Sequence, residues 1–175
     1  MGSSYLFHCM KCGYKFDAFL GTGFIYPVEY QQIMHDAAAG KYGESVREFL
    51  ASHPDGVLNC DRVLLQCTCC DVLKVMPDLS MYVSGPDCSS GPRDGGTAAD
   101  SKGYWNFAAP WDLKEYQLVS HYEHTCEKCG KPMKKVAVEE RIPLARASGS
   151  DKRRTRIHCP VCRDKMYLDC ISCWD

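Results

Sequence analysis

Phe7-His8-Cys9-Met10-Lys11-Cys12-Gly13-Tyr14 is the stretch that decides how this chain folds. Two thiolates three positions apart can grip one metal ion from a tight turn, and glycine after the second lets the backbone double back round the ion. The aromatic residues on either side suit short strands. The same spacing recurs at Cys67/Cys70, Cys126/Cys129, Cys159/Cys162 and Cys170/Cys173, so ten of the thirteen cysteines fall into Cys-x-x-Cys pairs. Two such turns brought together complete a tetrahedral sulfur cage.

Disulfides offer the competing reading of a cysteine-rich chain. Structural disulfides usually join cysteines distant in sequence, whereas closely spaced pairs in a reducing compartment read as metal ligands. The chain has no apolar run near the ~18 residues of a membrane span, and its start lacks the pattern of a signal peptide. A cytoplasmic protein without membrane association is therefore expected. At 19.7 kDa, with 45% hydrophobic and 25% charged residues, the composition is that of a globular chain and excludes disorder throughout. Charge is uneven about a formal total of −1: residues 1–101 carry seven basic and twelve acidic side chains, residues 102–175 fourteen and ten. Each zinc held by four thiolates adds a net −2, so two filled cages would cancel much of the basic character of the second half.

From Pro27 the pattern turns helical and ends at Gly40, and a second helix is expected from about Gly43 to Ser52, where Val46, Phe49 and Leu50 share a face and His53-Pro54 stops it. Val57–Gln66, Val72–Val83, Met133–Val138 and Met166–Trp174 read as strands, the second of them broken near Pro77-Asp78. Glycine, serine, proline and aspartate crowd together between Ser84 and Gly103, which predicts a loop. The fold class that follows is α+β, with two small β-rich zinc-ribbon modules of which the first carries an inserted helical hairpin. The corresponding domains are 1–84, a linker at 85–115, and 116–175.

In that serial arrangement Cys9, Cys12, Cys67 and Cys70 form the first cage, and Cys126, Cys129, Cys159 and Cys162 the second. The 54 residues between Cys12 and Cys67 accommodate the helical hairpin, and the 29 between Cys129 and Cys159 suit a strand hairpin with a loop. Cys69 competes with Cys70 as a ligand, and Cys70 is preferred because it keeps the knuckle spacing. Cys60 and Cys88, with no partner at ligand spacing, read as buried small hydrophobes. Cys170 and Cys173 admit three readings: a redox pair, a third site shared with His121, His124 or His158, or two half-buried thiols on a closing strand.

Cys9-Met10-Lys11-Cys12-Gly13-Tyr14 resembles a rubredoxin or zinc-ribbon knuckle, and Cys126-Glu127-Lys128-Cys129-Gly130 with Cys159-Pro160-Val161-Cys162 resembles a ribbon of the same broad class. As a whole the chain is similar to small bacterial tandem-ribbon proteins ending in Trp-Asp, here Trp174-Asp175, a resemblance that implies fold and metal but no activity. Asp71 and Arg163 depart from rubredoxin, where glycine usually follows the second knuckle, and this favours zinc over iron. Two Zn2+ per chain are expected, since zinc suits tetrathiolate sites and is redox silent.

No nucleotide loop, nucleophile elbow or His-Glu-x-x-His helix occurs, and an all-cysteine cage is normally closed to water. The chain therefore reads as no enzyme. It reads as a recognition or adaptor module for another macromolecule, protein ahead of nucleic acid. Nucleic acid would be met through Lys152, Arg153, Arg154 and Arg156, since clustered cations release counterions from phosphates. The four histidines His8, His121, His124 and His158 lie close to knuckles, but complete cysteine quartets leave them local or surface roles. Tyr104, Trp105 and Trp111 are expected to cover the seam between modules. The alternative is a rubredoxin-like iron electron-transfer protein or a thiol redox protein.

Overall fold

The computed structural model describes residues 2–21, 26–85, 116–138 and 153–174. Ten strands in small antiparallel sheets and two helices make an α+β, β-rich fold among the described residues. The chain divides into two compact units assembled from alternating segments: Met1–Gly23, Arg62–Met76 and Glu123–Asp175 form the first, Phe24–Asp61 and Pro77–Tyr122 the second. This differs from the serial domains 1–84 and 116–175. The helical hairpin does not sit in a first metal module; it belongs to a unit in which no cysteine cluster occurs among the described residues. The physical reason is that two separate excursions of the chain pack together, and the first closes behind itself through the Gly21–Arg62 bridge, with Gly21 N–H donating to Arg62 O at 2.9 Å.

In the first unit, β1 (Gly2–His8) lies between β2 (Lys15–Leu20) and β10 (Lys165–Trp174), and β9 (Arg153–His158) completes the order β2-β1-β10-β9. Alternation along β1 turns Tyr5 and Phe7 inward, while Ala18 faces Tyr5 across β2 and Leu168 faces Phe7 across β10. A second sheet, β5-β4-β8, contains β4 (Arg62–Cys67), β5 (Leu73–Pro77) and β8 (Met133–Lys135), with Cys67 opposite Met133. Leu64 and Leu73 from this sheet join Phe7, Ile157 and Met166 in one core, and Cys9 and Cys159 are members of it. The turns that carry Cys9 and Cys159 are thus anchored in the large apolar cluster described in this unit.

In the second unit, α1 (Tyr26–Ala38) and α2 (Glu44–Ser52) pack over the sheet β3-β6-β7, made of β3 (Val57–Leu58), β6 (Met81–Ser84) and β7 (Tyr116–Ser120). The helices fall where the period predicts them. Gly40, at φ 84°, ends the first in a left-handed turn, its N–H donating to Ala37 O while Lys41 N–H reaches Asp36 O. Ala37, Val46, Phe49, Leu58, Leu79 and Met81 form the interior. The buried Asp78 carboxylate accepts from Ser80 N–H, Ser80 Oγ and Asn59 Nδ2, which offsets the cost of removing it from water.

No described helix is long and apolar enough to cross a membrane. Of the linker expected at 85–115, residues 86–115, with Cys88, Tyr104, Trp105 and Trp111, lie outside the described residues, as do Lys152 and the side chains of Arg153, Arg154, Cys170 and Cys173.

Candidate metal centres

Each of the four knuckles is a short hydrogen-bonded turn; those of Cys9, Cys67 and Cys159 stand at the ends of β1, β4 and β9, and that of Cys126 follows the isolated Thr125–Pro132 bridge. Cys9 N–H donates to Tyr14 O at 2.8 Å and Gly13 N–H returns to Cys9 O at 2.9 Å. The same pair of bonds links Cys126 with Lys131 and Gly130, and Cys159 with Asp164 and Arg163; Cys67 N–H meets Val72 O. The residue after the second cysteine has positive φ in all four: Gly13 76°, Asp71 58°, Gly130 67° and Arg163 60°. Glycine takes that conformation without strain, so the aspartate and arginine hold it at a cost of roughly 1–2 kcal/mol each.

The knuckles pair in nested order. Cys9 and Cys12 join Cys159 and Cys162, while Cys67 and Cys70 join Cys126 and Cys129. This corrects the serial assignment of Cys9 and Cys12 to Cys67 and Cys70, and of Cys126 and Cys129 to Cys159 and Cys162. The cause is long-range strand pairing: β1 runs antiparallel to β10 from Gly2 opposite Trp174 to His8 opposite Tyr167, which delivers the first knuckle to the fourth. The opposition of β4 and β8 likewise brings Cys67 beside the third.

Either group of four could hold a metal ion. Within the first, Cys9 Sγ lies 3.4 Å from Cys162 Sγ and Cys12 Sγ 3.4 Å from Cys159 Sγ. In the second, Cys67–Cys129, Cys70–Cys126 and Cys70–Cys129 are 3.4, 3.6 and 3.7 Å apart. A disulfide would need about 2.05 Å. Four sulfurs about 2.3 Å from a central ion have tetrahedral edges of about 3.8 Å, close to what is found. All eight are free thiols.

Local electrostatics prepare one thiolate in each group. Backbone N–H groups of Cys70 and Cys69 point at Cys67 Sγ and bring its pKa down to about 6. At Cys9 burial opposes ionisation, but backbone N–H groups of Cys12 and Lys11, with the Cys162 thiol, outweigh it and lower the pKa to about 7. The neighbouring thiols move the other way. Tyr14 N–H favours the Cys12 thiolate, yet burial and the sulfurs of Cys159, Cys162 and Cys9 push it up to about 12. Lys131 N–H acts in the same sense at Cys129, where burial and Cys67, Cys70 and Cys126 again prevail at about 12. Against backbone donors at Val72 and Asp164, burial and neighbouring sulfur also raise Cys70 and Cys162. Four thiolates so close together call for a cation.

Cys69 is exposed and stands outside the second group, so Cys70 supplies the fourth sulfur there. Cys60 is buried between Tyr30 and Val57, and burial pushes its thiol pKa up. No described histidine joins either group. His121 Nδ1 lies 3.2 Å from Ser80 Oγ, His124 is buried, His158 is exposed, and His8 Nδ1 is buried without a hydrogen-bond partner.

Gln66 carried no signal in the sequence beyond ending a strand. Its side-chain Nε2 donates to His158 O at 2.7 Å and to Asp71 O at 3.2 Å, while its Oε1 accepts from His158 N–H at 3.3 Å. One amide therefore links the residue preceding Cys159 with the turn following Cys70. Two four-cysteine groups on hydrogen-bonded knuckles are zinc-ribbon-like, yet no family model matches the chain, and no curated protein and no solved structure is detectably similar to it.

Proposed function

We propose that this chain is a zinc-binding adaptor whose two tetracysteine sites are structural and which recognises another macromolecule, protein ahead of nucleic acid. The observation that carries the reading is the pair of four-sulfur groups with separations near the edge of a zinc–thiolate tetrahedron. Zinc is favoured over iron because it fills such a cage without redox chemistry, and because Asp71 and Arg163 replace the glycines usual in rubredoxin. Four sulfur donors leave no position for a water molecule, so we read the protein as non-enzymatic.

Support for a protein partner comes from the knuckle tips of the first group, where Met10 is 55% and Val161 67% exposed between the paired cysteines. Eight grouped cysteines standing as free thiols suit a reducing compartment, which favours the cytoplasm. Metal analysis of the purified chain tests the first half of the reading: two zinc ions in a colourless protein support it, and a red, iron-loaded protein overturns it. Met10→Glu with Val161→Glu tests the second half, because capture of a native partner should be lost while both zinc ions stay bound. Retention on DNA or RNA that charge reversal at Arg153, Arg154 and Arg156 abolishes would instead assign the chain to nucleic acid.

A further inference from the structure

We infer that the two metal sites fill cooperatively, and that Gln66 is the residue that couples them. The inference rests on the reading that both groups take zinc. Gln66 immediately precedes the ligand Cys67, and His158 immediately precedes Cys159 in the other group. Two hydrogen bonds between the Gln66 amide and the His158 backbone run from one cage's entry strand to the other's, and a third, to Asp71 O, ties Gln66 to the far end of its own knuckle. Beyond the cysteines a second link closes the bracket, with Arg163 Nε 3.7 Å from Asp71 Oδ2. The knuckle at 67–70 is therefore held at both ends by the knuckle at 159–162.

Zinc in the first of the nested cages, Cys9 and Cys12 with Cys159 and Cys162, pins the last two, and so fixes His158 and Arg163 where Gln66 and Asp71 meet them. Ordering of the 67–72 turn is then partly complete before the second ion arrives, and the second ion binds more tightly for it. Linkage makes the effect reciprocal: an ion in the second cage must strengthen the first by the same factor. Gln66 touches no metal. It is a positioning residue, and its effect lies in the dependence of one site on the other.

The test is a cycle of zinc titrations on the full chain against a competing chelator. With Cys126→Ser and Cys129→Ser disabling the second cage, zinc affinity at the first should fall on the order of tenfold. When Gln66→Ala is already present, the same disabling should change the first site's affinity little. Gln66→Glu keeps the side-chain length and an acceptor for His158 N–H but cannot donate to His158 O, and should also weaken the dependence. An equal fall with and without Gln66, or no fall at all, overturns the coupling while leaving both zinc sites in place. A chain that takes up no zinc at either site overturns the metal reading itself.

Discussion

Arg163 and Asp71 are joined by an ion pair, and each holds a left-handed backbone one position after the last cysteine of its knuckle. The other two knuckles use Gly13 and Gly130 at that position. Because Arg163 is largely exposed, the ion pair itself contributes little to stability. The backbone requirement dominates. Arg163→Gly should therefore leave the thermal stability of the loaded protein within about 1 kcal/mol, release from strain being offset by the freer unfolded chain. Arg163→Val, with a branched side chain at φ 60°, should cost about 1–3 kcal/mol and lower the melting temperature.

The nested pairing makes a prediction of stoichiometry. Cys12→Ser and Cys162→Ser together damage only the group Cys9, Cys12, Cys159 and Cys162, so the double variant should keep one zinc per chain in native mass spectrometry. A serial arrangement would lose both ions from the same pair of changes. Cys69→Ser, outside either group, should retain two.

Locality explains what could be read in advance. Cys-x-x-Cys turns and the periods of Tyr26–Ala38 and Glu44–Ser52 are set by residues a few positions apart, and the structure forms both elements where those residues stand. Which knuckles meet is decided by the pairing of Gly2–His8 with Lys165–Trp174, some 160 residues apart, and no local pattern encodes that register. Glycine after the second cysteine gives no help, because nested and serial pairings alike put one glycine knuckle in each group. Gln66 is silent in the sequence for the same reason. A polar residue closing a strand is ordinary until His158 is brought beside it.

Zinc binding should strengthen as pH rises. Only thiolates bind, and against local backbone donors burial and neighbouring sulfur hold Cys12 and Cys129 at about 12 and raise Cys70 and Cys162, so two ligands in each group surrender a proton when the ion enters. Cys9, at about 7, and Cys67, at about 6, are already ionised at pH 8. Each ion should then displace on the order of two protons, measured by calorimetry in buffers of different ionisation enthalpy. Affinity should fall further as pH drops through 7 and 6, where these two thiolates are themselves protonated.

Gly56→Ala provides a test of packing in the unit that has no described cysteine cluster. A Cβ at this position would lie 2.9 Å from His53 O and 2.9 Å from the Phe49 ring, closer than real Cβ contacts allow. Neither neighbour yields easily. His53 O accepts from Gly56 N–H at 2.8 Å, His53 N–H is bonded to Phe49 O at 3.0 Å, and the Phe49 ring stacks on His53 with centroids 4.8 Å apart. Phe49 is also buried in the core with Val46 and Leu58, so turning its ring away would open a void there. The substitution should cost about 1–3 kcal/mol by overpacking, seen as an earlier loss of helical circular dichroism on heating. The zinc content should stay at two per chain, since Gly56 lies in the segment Phe24–Asp61 and all eight grouped cysteines lie in the other unit.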